Sequence, residues 1–222
     1  MPQLRFILGG SAAHTHISVH SANKNIPSSI HPNLSKVESA FLAGLLQNLS
    51  GITLLTLPTT ASFKRMVDGV WSGGTYICWG TDNREAPVRL CNAFSPPARN
   101  FELKCLDGTA NPYLAIAAFL SAGTEGILEG KECQIKDCGL EAAALLGELG
   151  RAELGITNRM PLTLEDARSS FEKSKLIDRQ FGKDFKTKYL SVNKVYNHFS
   201  PLFDDSQNTN FMDTDSGRAD GR

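Results

Sequence analysis

The stretch FELKCLDGTANPYLAIAAFLSAGTEGI, beginning at Phe101, changes its period partway along and constrains the fold more than any other part of the chain. In FELKCLD the side chains alternate. Phe101, Leu103 and Cys105 fall on one face, Glu102 and Lys104 on the other, as in a strand with one apolar side. Asn111 then offers a capping oxygen, and Pro112 suits the first helical position. The small apolar residues that follow predict a helix buried against a sheet. A strand leading directly into a helix that covers it calls for layered sheet and helix.

The rest of the chain fits that frame. Residues 5–20 predict a short strand, a Gly/Ala turn and a second strand through HTHISVH. Leu34, Val37, Phe41, Leu42, Leu45, Leu46 and Leu49 recur at helical spacing. Ser35 with Glu38 forms a capping box ahead of them, with Asn33 as the alternative cap. YICWG and EAPVRLC read as strands, and LPTTASFKRMVDGVWSGGT as a loop with an outward Trp71. From residue 131 the chain turns polar. GLEAAALLGELG predicts a short helix, and TLEDARSSFEKSKLIDRQFG and KDFKTKYLSVNKVYNHFS predict helices packing back onto the body. Thr163 and Asp166 are placed to cap the first of these. The expected class is α+β, an antiparallel or mixed sheet covered by helices. One domain is expected over 1–200, with a disordered acidic and polar tail over 201–222.

Composition narrows the function classes. Lysine plus arginine equals aspartate plus glutamate at 23 each in 222 residues, so the balance gives no reason to expect nucleic acid or an anionic membrane as partner. No apolar run approaches transmembrane length, and MPQLRFILGGSAA is too short for a secretory signal. Five cysteines without a C-x-x-C pair point to a reduced, cytoplasmic setting rather than a disulfide framework or zinc knuckle.

Three groups of residues could carry chemistry. His14 and His16 share a strand face behind Gly9 and Gly10, which allow close backbone approach to a ligand. Imidazole serves as a metal ligand, as a phosphate donor when protonated, or as a core residue, and the spacing does not choose among them. Glu102 could bind a hard cation such as Mg²⁺ or Mn²⁺, and Lys104 on the same face could neutralise phosphate; a solvated strand face is the plain alternative. Lys64, Arg65, Arg84, Arg89 and Arg99 form a basic set suited to carboxylate or phosphate. Arg84 and Arg89, five apart, would lie on opposite faces of an unbroken strand, so either Arg84 sits in the preceding loop or a bulge resets the face.

Taken in order, GGSAAHTHISV, HPNLSKVESAFLAGLL, FKRM, NREAPVRL, FELKCLDGTANPYLAIAAFLSAGTEGI and RMPLTLEDA resemble the catalytic domain of glutamine synthetase, closest to its type I and fungal or plant synthetase-like branch. The resemblance runs over residues 8–200. It implies a curved antiparallel sheet with helices outside it, assembly into rings, and ATP-dependent joining of ammonia or an amine to glutamate or a related carboxylate through an acyl phosphate. It further implies His14 and Glu102 as ligands of one divalent cation and His16 as a phosphate contact. Arg65 would bind the acid's carboxylate, and Arg84 and Arg89 would stabilise the phosphoryl group in transfer. Gly10 and Lys104 would fall in the substrate site.

The chain also departs from the family pattern. Gly9-Gly10-Ser11-Ala12 stands where the family carries Asn-Gly-Ser-Gly, Lys104 and Asn100 stand in place of arginines, and Trp71 occupies the place of the flap glutamate. The family's further metal-binding carboxylates precede the histidine strand, and the chain begins at that strand. The expectation is therefore an N-terminally truncated copy, incomplete as a catalyst. The alternative is a non-catalytic remnant that retains nucleotide binding or docks on full-length synthetase subunits. A third reading, an H-x-H metal enzyme of cupin type, needs a further histidine; His20 follows on the same strand, and His31 and His198 lie in a loop and a terminal helix.

Overall fold

The computed structural model describes residues 12–21, 26–69 and 73–204, the last eight of these by backbone alone. The predicted strand before residue 12, Gly10, Trp71 and the tail from residue 205 lie outside the described residues. Four strands, β1 (Ala12–Ile17), β2 (Trp79–Thr81), β3 (Val88–Cys91) and β4 (Asn100–Asp107), form one open sheet in the order β1-β4-β3-β2. The β1–β4 and β4–β3 pairs are antiparallel, and the short edge strand β2 runs parallel to β3. The sheet is thus mixed, within the α+β class.

Helix α1 (Lys36–Thr56) begins at the predicted capping box. Ser35 Oγ accepts from the Glu38 amide at 3.3 Å, and the Ser35 amide donates to Glu38 Oε2 at 2.7 Å. Glu38 is buried and also receives Arg99, whose Nε and Nη2 donate to its two oxygens at 2.7 and 2.8 Å. One carboxylate therefore caps the helix and anchors the residue that leads into β4. Among the described residues α1 is the one helix long and apolar enough to cross a membrane, contrary to the sequence expectation. Leu42, Leu45, Leu49, Ile52 and Leu54 are fully buried inside the protein, so its hydrophobicity serves the core.

Helix α3 (Pro112–Leu128) starts at Asn111, whose Oδ1 accepts from the amides of Tyr113 and Leu114. It crosses α1 at very close range. A Cβ on Gly126 would stand 2.1 Å from the Ala40 carbonyl oxygen, and one on Gly44 would stand 2.3 Å from that of Ala122. The two glycines let the backbones touch, and Phe41, Leu45, Ala118, Phe119 and Ala122 fill the core beside them. Phe101 and Leu103 of β4 and Val88 and Leu90 of β3 supply its floor.

The loop after the predicted first helix contains a short helix, α2 (Thr60–Phe63). The stretch GLEAAALLGELG is mostly turns, with α4 (Gly147–Glu153) starting only at its end. The long polar helix predicted from Thr163 is two, α5 (Leu164–Lys173) and α6 (Lys175–Gln180). Ser174 leaves helical geometry at ψ 116° and caps the second. Helix α7 (Lys183–Asp204) passes the expected domain end at 200 and ties back through Tyr189, whose hydroxyl donates to the Leu54 carbonyl at 3.1 Å.

Register matters most along β4. Thr15, His16 and Ile17 pair with Leu103, Glu102 and Phe101, whereas Ala13 and Ala12 pair with Leu106 and Asp107. Between these sets β4 holds one residue more than β1, so Lys104 and Cys105 together face His14, which is a β-bulge. Strict alternation would put Asp107 among Phe101, Leu103 and Cys105. The bulge instead sets Leu106 in the core and Asp107 opposite Ala12, on the face that carries His14 and His16.

Candidate active site

Glu102 is the centre of that face. It lies midway along β4 with β1 on one side and β3 on the other, and it is only 4% exposed. From β1, His14 Nδ1 lies 2.7 Å from its Oε1, and His16 Nε2 lies 3.9 Å from the same oxygen. From β3, Arg89 pairs directly across and brings its Nε to 2.6 Å from Oε2. That contact is an ion pair without a directed hydrogen bond, because the single Nε–H of Arg89 donates to Cys91 Sγ at 3.2 Å. Glu102 Oε2 is consequently a buried oxygen with no hydrogen-bond donor of its own.

Lys104, on the same face, turns away from open solvent. Its Nζ donates to the carbonyl oxygens of Asn83 and Arg84, tying down the loop between β2 and β3. Burial pushes this ammonium down to about 8, against the opposing pull of Glu102. The loop accounts for the spacing of the two arginines: Arg84 lies in it and Arg89 on β3, and the bulge belongs to β4. Asn83 fixes the same loop. Its Oδ1 accepts from the amides of Glu85 and Ala86, and its Nδ2 donates to the carbonyls of Gly139 and Glu141.

Arg65 follows α2, and its Nη2 donates to Asp107 Oδ2 at 2.9 Å, so the bulge connects it to the end of the site face. Arg99 belongs elsewhere, buried against Glu38, and Lys64 is exposed. His31 is a core residue, bonded to the Cys133 carbonyl at 2.8 Å and edge-on to Trp79, while His20 is exposed beyond β1.

Sequence reasoning missed two polar partners. His16 Nδ1 pairs with Asn100 Oδ1 at 2.8 Å, so the residue read as a lost arginine orients the second histidine. Asp107 was hidden because period-two alternation assigns it to the core. Its signal was the Asp-Gly step at the end of the strand, which marks a turn where the alternation stops.

The donor set suits a hard cation in part. His14 Nδ1 and Glu102 Oε1 at 2.7 Å are near the separation of about 3 Å expected for adjacent ligands of an ion with roughly 2.1 Å bonds. The undonated Oε2 leaves carboxylate capacity unused. Among the described residues no group of three His, Cys, Asp or Glu side chains is gathered to complete a site.

Comparison with known proteins identifies the family of the chain. A family model described as glutamine synthetase, catalytic domain, matches residues 1–200. The chain is 38% identical to the protein fluG of Emericella nidulans over 84% of its own length and 19% of that protein's. It is 35% identical to the glutamine synthetase of Pyrococcus abyssi over 84% of its own length and 41% of the enzyme's. A solved structure titled GmaS/ADP complex superposes with a TM-score of 0.64 at 28% identity, over 91% of this chain and 45% of that one. The chain therefore spans less than half the length of these relatives.

Proposed function

The chain belongs to the glutamine synthetase catalytic-domain family, and from that premise we propose that it carries the phosphate-facing part of an ATP-dependent ligase site, joining a carboxylic acid to ammonia or an amine through an acyl phosphate. The observation that supports this most is the setting of Glu102, a buried carboxylate flanked by two histidines from β1 and an arginine from β3.

Phosphoryl transfer to a carboxylate depends on positioning and charge neutralisation rather than covalent help from the protein. His14 and Glu102 would hold Mg²⁺ or Mn²⁺, which when bound offsets phosphate charge. His16, oriented by Asn100, donates to a phosphate oxygen when protonated. Arg89 and Arg84 stabilise the transferring group, and Lys104 acts at one remove by holding the Arg84 loop. Arg65 exchanges its bond to Asp107 for the acid's carboxylate, and Gly10 is the further substrate contact that the family resemblance implies. Homo-oligomers or docking to longer synthetase subunits would supply the remaining cation ligands. A cytoplasmic setting fits five free thiols.

Calorimetric titration with Mg-ATP tests this reading. The chain should bind, and His14→Ala and Glu102→Gln should each weaken binding by at least about tenfold, near 1.4 kcal/mol. Equal binding by all three proteins overturns it. A second reading, nucleotide or subunit binding without turnover, is favoured by the absence of a third clustered ligand among the described residues. Release of ADP and acyl product by the chain alone would exclude it.

A further inference from the structure

A second cluster lies apart from the main core. Cys78, Ala86, Cys138, Ala143 and Ile156 pack together beneath β2. Cys78 immediately precedes Trp79, and the Cys138 amide donates to the Trp79 carbonyl at 3.1 Å, so the two cysteine backbones are held side by side. Both thiols are free and lie in the same packed cluster. The neighbouring segment is pinned by Asp137, which accepts from the Thr81 amide and hydroxyl at 2.8 and 2.6 Å.

We infer that Cys78 and Cys138 form an oxidisable dithiol that closes to a disulfide under hydrogen peroxide, stapling residues 137–141 to β2. The remaining thiols have other surroundings. Cys91 accepts from Arg89, Cys133 donates to the Ile135 carbonyl, and Cys105 is in the main core. Within the pair the roles divide. Cys138 is the more exposed of the two, and each sulfur shifts the other, Cys78 upward and Cys138 downward. Cys138 is accordingly the nucleophile. Its thiolate attacks peroxide, an S–O bond forms, the O–O bond breaks, and the hydroxide leaves as water after taking a proton. The Cys78 sulfur then attacks Cys138, the S–S bond forms and a second water leaves. Two thiols lose two electrons and two protons, and one peroxide becomes two waters. The staple reaches the candidate site, because Asn83 links Gly139 and Glu141 to the loop that carries Arg84. The inference does not depend on ligase activity.

The test is thiol mapping of the whole chain. Reduced protein is treated with hydrogen peroxide, alkylated and digested without reduction. The expected result is a Cys78–Cys138 linked peptide and the loss of two of the five alkylatable thiols. Five thiols still alkylated, a different dominant pair, or Cys138 carried to sulfinic acid with Cys78 free would overturn it. The same oxidation in denaturant should scramble the pairing; an unchanged Cys78–Cys138 preference there would also defeat the proposal, since the folded geometry would not be its cause.

Discussion

His14 Nδ1 lies 2.7 Å from Glu102 Oε1 although 88 residues separate them, and neither atom reaches the other without the β1–β4 pairing. The pair therefore reports on the sheet as well as on the site. Glu102 also faces Arg89 and sits two residues before Lys104, so its charge offsets two cations in a buried setting. Glu102→Gln should lower the Lys104 ammonium below about 8, because the attraction that opposes burial is gone. Titration of the lysine Nζ by NMR checks this; an unchanged or higher value would refute the assigned cause.

Lys104 has a consequence for the whole protein. Its folded value, about 8, lies below the ordinary 10.5, so between these limits the unfolded chain binds more protons. Stability should therefore rise with pH across that window. Lys104→Met should flatten this rise in denaturant melts, whereas a slope identical to wild type would assign it to other groups.

Arg99 provides a structural contrast. Arg99→Met leaves Glu38 buried without its bidentate partner, a loss of about 3–5 kcal/mol for a broken buried pair. Urea unfolding measures it, and Arg99→Lys should recover only part, since an ammonium lacks the planar fork. Little change in the urea midpoint would mean that Ser35 alone secures the start of α1.

The α1–α3 crossing makes a steric prediction. Gly126→Ala places a methyl 2.1 Å from the Ala40 carbonyl. Overpacking at about 1–3 kcal/mol should outweigh the roughly 1 kcal/mol that alanine gains in helix propensity. A melting temperature at or above wild type would show that the helices separate without cost.

Glu132 ties the loop before α1 to the segment after α3. It accepts from Ser28 Oγ at 2.5 Å, Ser29 Oγ at 2.7 Å and the amide of Ser29 at 2.6 Å. These bonds, the Ser28 hydroxyl first, hold its carboxyl down to about 2 from the ordinary 4.5. The linkage is complete above 4.5 and is lost as pH falls through about 2. Amide exchange at Ser29 and Ile30 should accelerate over that range, and Glu132→Gln should abolish the dependence.

The features legible in the sequence were local ones. Ser35 with Glu38, and Asn111 with Pro112, announce their helices because a cap is satisfied within one turn. The break at Ser174 was equally local, yet the continuous polar pattern on either side concealed it. Alternation left Glu102 and Lys104 open between a ligand pair and a solvated face; both are buried, Lys104 held by the Asn83–Arg84 loop and Glu102 flanked by His14 and Arg89. Nothing in the spacing distinguishes Arg99, which turns inward to Glu38, from Arg89, which meets Glu102. Such partners are set by register, and register is fixed across the sheet rather than along the chain.

The extra residue at Lys104–Cys105 makes the far end of β4 a matter of parity. Removing one residue between Glu102 and Leu106 would bring β4 level with β1 over the span from His16 to Ala13, and plain alternation would then keep Leu106 in the core and Asp107 on the site face without a bulge. Arg65 would keep its partner in that case. What the extra residue provides is local: two side chains share the place opposite His14, Cys105 filling the core and Lys104 holding the Asn83–Arg84 loop, and a shorter strand would have room for only one of these tasks.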